Sequence, residues 1–139
     1  MKEKGFTLVE LLAVLVIMGL LSLLIVPQVS KYIKNTTNTT YESYAKALSD
    51  AAKNYLIDNP SEMPEEAYNY VTNTGAITIT AKTLISEGYM DSMKDPENSK
   101  LTCDEKSKVL VRRDNKLTLY YKVLLICGDN ETKINKDVE

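Results

Sequence analysis

From Phe6 to Val26 every position is hydrophobic except Thr7, Glu10, Gly19 and Ser22, and Glu10 carries the only charge. A run of this kind predicts a helix with no polar face. At about 1.5 Å per residue it extends about 31 Å, close to the ~30 Å hydrocarbon core of a bilayer. A secretory signal peptide would have a shorter apolar core of ~7–15 residues followed by a small-x-small cleavage site. Val26-Pro27-Gln28-Val29-Ser30 supplies no such site, so a retained membrane span is expected. Pro27 lacks a backbone donor and is the expected position of a helix kink. Beyond it the apolar residues thin to a stripe: Tyr41, Tyr44, Leu48, Ala51 and Tyr55 recur at spacings of three and four, widened by Ala45, Ala52 and Leu56. That period predicts an amphipathic helix whose apolar face packs on a following domain. The intervening Asn35 to Thr40 are weak helix formers, so the chain either breaks there or carries one long helix through.

Asp58-Asn59-Pro60 and Pro64 end the helical pattern. Glu65 to Thr74 reads as a short helix or an irregular loop, and Ala76 to Thr80 as a short strand or an extended lead-in. Thr80 or Thr83 is the expected cap of a short helix through Leu84 and Ile85, with Gly88 as its left-handed stop. The last third carries the clearest β signal. Lys108 to Arg113, a turn at Asp114-Asn115, then Lys116 to Cys127 reads as a hairpin, with Leu117, Leu119, Tyr121, Val123 and Leu125 on the face that meets the Tyr44/Leu48/Tyr55 stripe.

The 139 residues suffice for one domain, and the net charge of −2 offers no global attraction to nucleic acid. With no histidine, Ser-His-Asp and Cys-His catalysis are excluded, and two cysteines alone cannot close a four-ligand metal site. Neither common glycine-rich nucleotide loop occurs. An enzyme is therefore not expected, nor is a cofactor or a metal. Cys103 and Cys127 are either a disulfide or two buried thiols; a bond closing a loop of about 25 residues would contribute about 3–4 kcal/mol. Lys106, Lys108, Arg112, Arg113 and Lys116 make the hairpin locally basic. They could meet a nucleic-acid backbone, with Tyr120 stacking a base, but a solvated strand edge accounts for the same charges and is preferred. Direct contact with DNA is accordingly not expected. The N-x-T triplets at Asn35, Asn38 and Asn130 read as exposed polar residues.

Glu10 is the anomaly. A carboxylate in a membrane helix costs on the order of 2.5–3.5 kcal/mol near the centre. It either snorkels to the headgroups or awaits a positive partner absent from its own helix.

Lys4-Gly5-Phe6-Thr7-Leu8-Val9-Glu10-Leu11-Leu12, with Gly19 and Pro27 at their offsets, resembles the amino-terminal signature of type IV pilins and of the pseudopilins of type II secretion and competence systems. A weaker similarity, Leu84 to Met90 followed by Asp95-Pro96, is to the middle of Gram-positive pilin-like proteins. The first resemblance implies that prepilin peptidase cuts between Gly5 and Phe6, that the new terminus on Phe6 is methylated, and that Glu10 pairs with the Phe6 ammonium of a neighbouring subunit to set axial register. Gly19 would permit close helix approach or local melting. Several pilins carry a carboxy-terminal disulfide loop, and the acidic Asp129-Asn130-Glu131 could hold calcium as a loop does in major secretion pseudopilins, although no EF-hand spacing is present and no metal is expected there.

The expected fold is α+β: a long helix, membrane stalk plus amphipathic half, packed on a small antiparallel sheet. The expected divisions are a leader at 1–5, a transmembrane and assembly helix at 6–26, its amphipathic continuation at 27–57 and a head at 58–139. By resemblance the chain is a single-pass membrane protein with an extracellular head, in lipid before assembly and in a surface filament afterwards. Its implied partners are prepilin peptidase, copies of itself or related subunits, a membrane assembly platform and an assembly ATPase, with roles in secretion, DNA uptake or attachment left open. A signal-anchored binding protein that does not polymerise is the alternative.

Overall fold

A computed structural model of the chain describes residues 5–128 and 131–138. Helix α1 runs without interruption from Leu8 to Asp58, 51 residues that include Pro27 and the whole Asn35 to Thr40 stretch. Serine and threonine side chains bond back onto the helix through this region, Ser30 to the Val26 carbonyl at 3.2 Å and Thr36 to that of Tyr32 at 3.0 Å. Such local bonds let hydroxyl residues remain within a helix that their intrinsic propensity disfavours.

Two compact units divide the chain, residues 1–36 and residues 37–139. In the first, every large hydrophobic side chain from Phe6 to Val26 is exposed. The helix is long and apolar enough to cross a membrane, and none of its most apolar stretch is buried within the molecule.

The second unit is an α+β head. The last part of α1 lies on a four-stranded antiparallel sheet in the order β1-β2-β3-β4, formed by Ile77–Thr80, Lys108–Arg113, Leu119–Cys127 and Glu131–Val138. Tyr41, Ala45, Leu48, Ala51, Ala52, Tyr55 and Leu56 are buried from the helix side; Tyr44 is only partly buried. They meet Ile79, Val109, Val111, Tyr121, Val123 and Leu125 from the sheet. Register explains the inward set: Ile79 opposes Val109, which opposes Val123, while Ile77 opposes Val111, which opposes Tyr121. Alternation puts these side chains on one face.

Between β1 and β2, helix α2 spans Ala81–Ser86 and is capped by Thr80, whose hydroxyl accepts the Thr83 N–H at 3.2 Å. Gly88 follows at φ +81°, the left-handed stop. Glu65 to Thr74 is a turn-rich loop closed by an isolated bridge between Asn69 and Thr74.

Two features differ from the pattern-based reading. The hairpin turn is not the two-residue Asp114-Asn115 but a five-residue loop, since β3 begins at Leu119. The Asp114 carboxylate accepts the N–H groups of Lys116 and Thr118, both at 2.8 Å, and Leu117 turns out at φ +68°, 69% exposed instead of inward. Strand β4, absent from that reading, pairs with β3 as β1 does with β2, so both hairpin strands are interior. The basic residues of β2 are therefore not on a solvated sheet edge; β1 and β4 are the edges.

Candidate processing and assembly site

Gly5 and Phe6 precede the helix, Phe6 with 91% of its surface exposed. Thr7 is the cap: its carbonyl accepts the first helical bond, from Leu11 N–H at 3.2 Å. Glu10 sits three residues on. Its Oε2 accepts the Thr7 N–H at 2.8 Å and the Thr7 hydroxyl at 3.0 Å, while its own N–H donates to Thr7 Oγ1 at 3.3 Å. This reciprocal arrangement is a capping box, which satisfies donors that a helix start leaves open and sets a negative charge at the positive end of the dipole. Neither side-chain bond falls on Oε1, which keeps acceptor capacity for a cation.

The Thr7-Leu8-Val9-Glu10 spacing is the sequence signal for such a box, a role for Glu10 beyond that of a charge in lipid. Within α1, Gly19 has open space where a Cβ would stand. Pro27 lies inside the helix and donates no bond to the turn before it. Residues 1–4 of the expected leader lie outside the described residues.

Residues 1–26 match the family model described as the prokaryotic N-terminal methylation motif. The chain carries a prepilin signature. This methylation motif is that of type IV pilins and pseudopilins, whose members are structural and not enzymatic. It implies processing by prepilin peptidase and assembly with pilins, and with the exposed apolar helix it accords with membrane anchoring followed by surface assembly. No curated protein and no solved structure matches the chain.

The other singled-out residues all belong to the head. Cys103 and Cys127 are joined in a disulfide that ties the end of β3 to the segment before β2. Of the five basic hairpin residues, Arg112 and Arg113 come together with Tyr120 around a cleft shared with Tyr68, Tyr70 and Asp114; Lys106, Lys108 and Lys116 do not line it. Both arginines are engaged, Arg112 with the Asp137 carboxylate and Arg113 with the Glu65 carbonyl. Asp129 and Asn130 of the candidate calcium loop, and with them the third N-x-T triplet, lie outside the described residues. Among the described residues no group of three or more His, Cys, Asp or Glu is placed to hold a metal ion.

A polar cluster missed in the sequence clamps α1 to β4. The Lys133 ammonium contacts Glu97 and Glu131 and lies 5.3 Å from the Tyr41 ring centre, while the Tyr41 hydroxyl donates to buried Asp95 at 2.7 Å. Burial, then the Asp95 bond, pushes the Tyr41 hydroxyl above the usual tyrosine range. Burial opposes charge on Lys133, but Glu131 and Glu97 outweigh it, and its net shift is upward.

Proposed function

We propose that this chain is a structural subunit of a type IV pilus-like or pseudopilus filament. Prepilin peptidase cuts between Gly5 and Phe6, the new Phe6 terminus is methylated, and residues 6–26 hold the subunit in the membrane until an assembly platform driven by an ATPase transfers it into the filament. The observation that supports this most directly is the methylation motif at residues 1–26, set on a helix whose large apolar side chains are all unburied. Those side chains exchange lipid for neighbouring stalks. Glu10 enters lipid with its charge already met by two donors from Thr7, and its Oε1 receives the Phe6 ammonium of a neighbouring subunit. A buried carboxylate left without its cation is strongly unfavourable, so the pair selects one axial register without adding much net stability.

Processing and polymerisation are tested separately. Gly5→Ala is expected to leave the leader attached, read by mass spectrometry of membrane protein; complete cleavage of that variant would refute the assigned cut. Glu10→Leu is expected to be inserted and cut normally yet to give few filaments, and a normal yield would refute the register role. Crosslinking on intact cells is expected to give a ladder of subunit multiples, whereas an anchored binding protein that does not polymerise gives none.

A further inference from the structure

The cleft at the head end of the β2–β3 hairpin has features that filament assembly does not use. Its volume is about 150 Å³, about five times the volume each molecule occupies in liquid water. That is room for one ring with its substituents and too little for a peptide strand. Its aromatic lining is preformed. Tyr68 and Tyr70 meet edge to face with ring centres 4.8 Å apart, and Tyr68 is fixed by the Arg112 guanidinium 5.5 Å from its ring centre and by a 2.9 Å bond from its hydroxyl to Asn73. Tyr70 is 74% exposed and Tyr120 45% exposed. Two large rings left in water at one concave site suit an occupant.

The charges narrow what that occupant is. Arg112 is paired with Asp137, and Arg113 is offset by Asp114 on the same wall, so the cleft has no excess of positive charge. Nucleic-acid binding relies on neutralising phosphates, and a balanced site gives it little purchase.

We propose that this cleft binds one ring of a neutral saccharide, such as the exposed end of a polysaccharide. The apolar face of the ring stacks on Tyr70 and Tyr120. Its hydroxyls, each both donor and acceptor, serve the Asp114 carboxylate and the Asn115 amide on the cleft wall. Binding of this kind belongs to the head and does not depend on polymerisation.

The test is calorimetric titration of the full chain in micelles of a detergent without a sugar headgroup. The probes are neutral trisaccharides of glucose, mannose and N-acetylglucosamine, with an oligothymidylate as the competing class. At least one trisaccharide is expected to bind with a Kd of about 1 mM or tighter. Its affinity is expected to hold between about 50 and about 200 mM salt, where phosphate-driven binding falls steeply. Tyr70→Ala and Tyr120→Ala are each expected to weaken it about tenfold or more while keeping the urea midpoint of the parent chain. If either variant loses its fold, Tyr70→Leu and Tyr120→Leu, which keep apolar bulk but no ring, are read in the same way. The proposal is overturned if no trisaccharide binds, if ring removal leaves affinity unchanged, or if only the oligothymidylate binds, with steep salt dependence.

Discussion

At Thr7 one hydroxyl serves two partners, donating to Glu10 Oε2 and accepting the Glu10 N–H. Valine keeps the shape and removes both bonds. Thr7→Val is expected to weaken the first helical turn by about 1 kcal/mol, the usual worth of a cap, seen as faster amide exchange at Leu8 to Leu11 in micelles. Gly75 shows the opposite limit, where a side chain is not tolerated. Its φ is +87°, and an added Cβ would lie 2.9 Å from the Ala67 carbonyl oxygen. Gly75→Ala is expected to destabilise the head by about 1–3 kcal/mol, measured as a lowered urea midpoint. The two positions also differ in how they could be read from sequence. Thr7 to Glu10 is a spacing visible in any listing of the chain. The need for glycine at Gly75 arises from backbone seven and eight residues earlier that folds back on it, and no local pattern reports that.

Among the elements, α1 and the β2–β3 pair were legible because their apolar residues follow the helical and strand periods. Strand β4 was not. Glu131–Val138 contributes only Ile134 and Val138 as apolar residues, and an edge strand with a solvated outer row needs few more. The hairpin loop was misplaced by a related effect: Leu117 extends the alternation of β3 by one step, and only the Asp114 bonds show where the strand begins. The candidate cleft was half legible, since Arg112, Arg113 and Tyr120 are close in sequence while Tyr68 and Tyr70 reach it from a separate loop. Leu48, fully buried on the helix face, is expected to cost about 2–5 kcal/mol when changed to Ala, by denaturant unfolding. Reduction of the Cys103–Cys127 bond, which spans 24 positions, is expected to remove about 3–4 kcal/mol, seen as a lowered urea midpoint with reductant.

For the molecule as a whole, the absence of histidine shapes the response to pH. Tyr41 and Lys133 both have folded values raised above their ordinary ones, so the stability they contribute is complete below about pH 10 and is lost as pH rises through the shifted values. Glu97 is held low by its bond to Lys133, so its contribution is present above the usual carboxylate range and is lost as pH falls. Unfolding of the head is therefore expected to show a level plateau from about pH 6 to about pH 9 and a fall above it, blunted in Tyr41→Phe. A slope centred near neutrality would contradict this. The strand order carries a kinetic consequence as well. Each strand pairs with the one immediately before it, so a chain delivered amino terminus first can add them one at a time, without waiting for a distant partner. Cys127 ends β3 and Cys103 precedes β2, so the disulfide closes a loop that holds both central strands of the sheet and leaves β4 outside it.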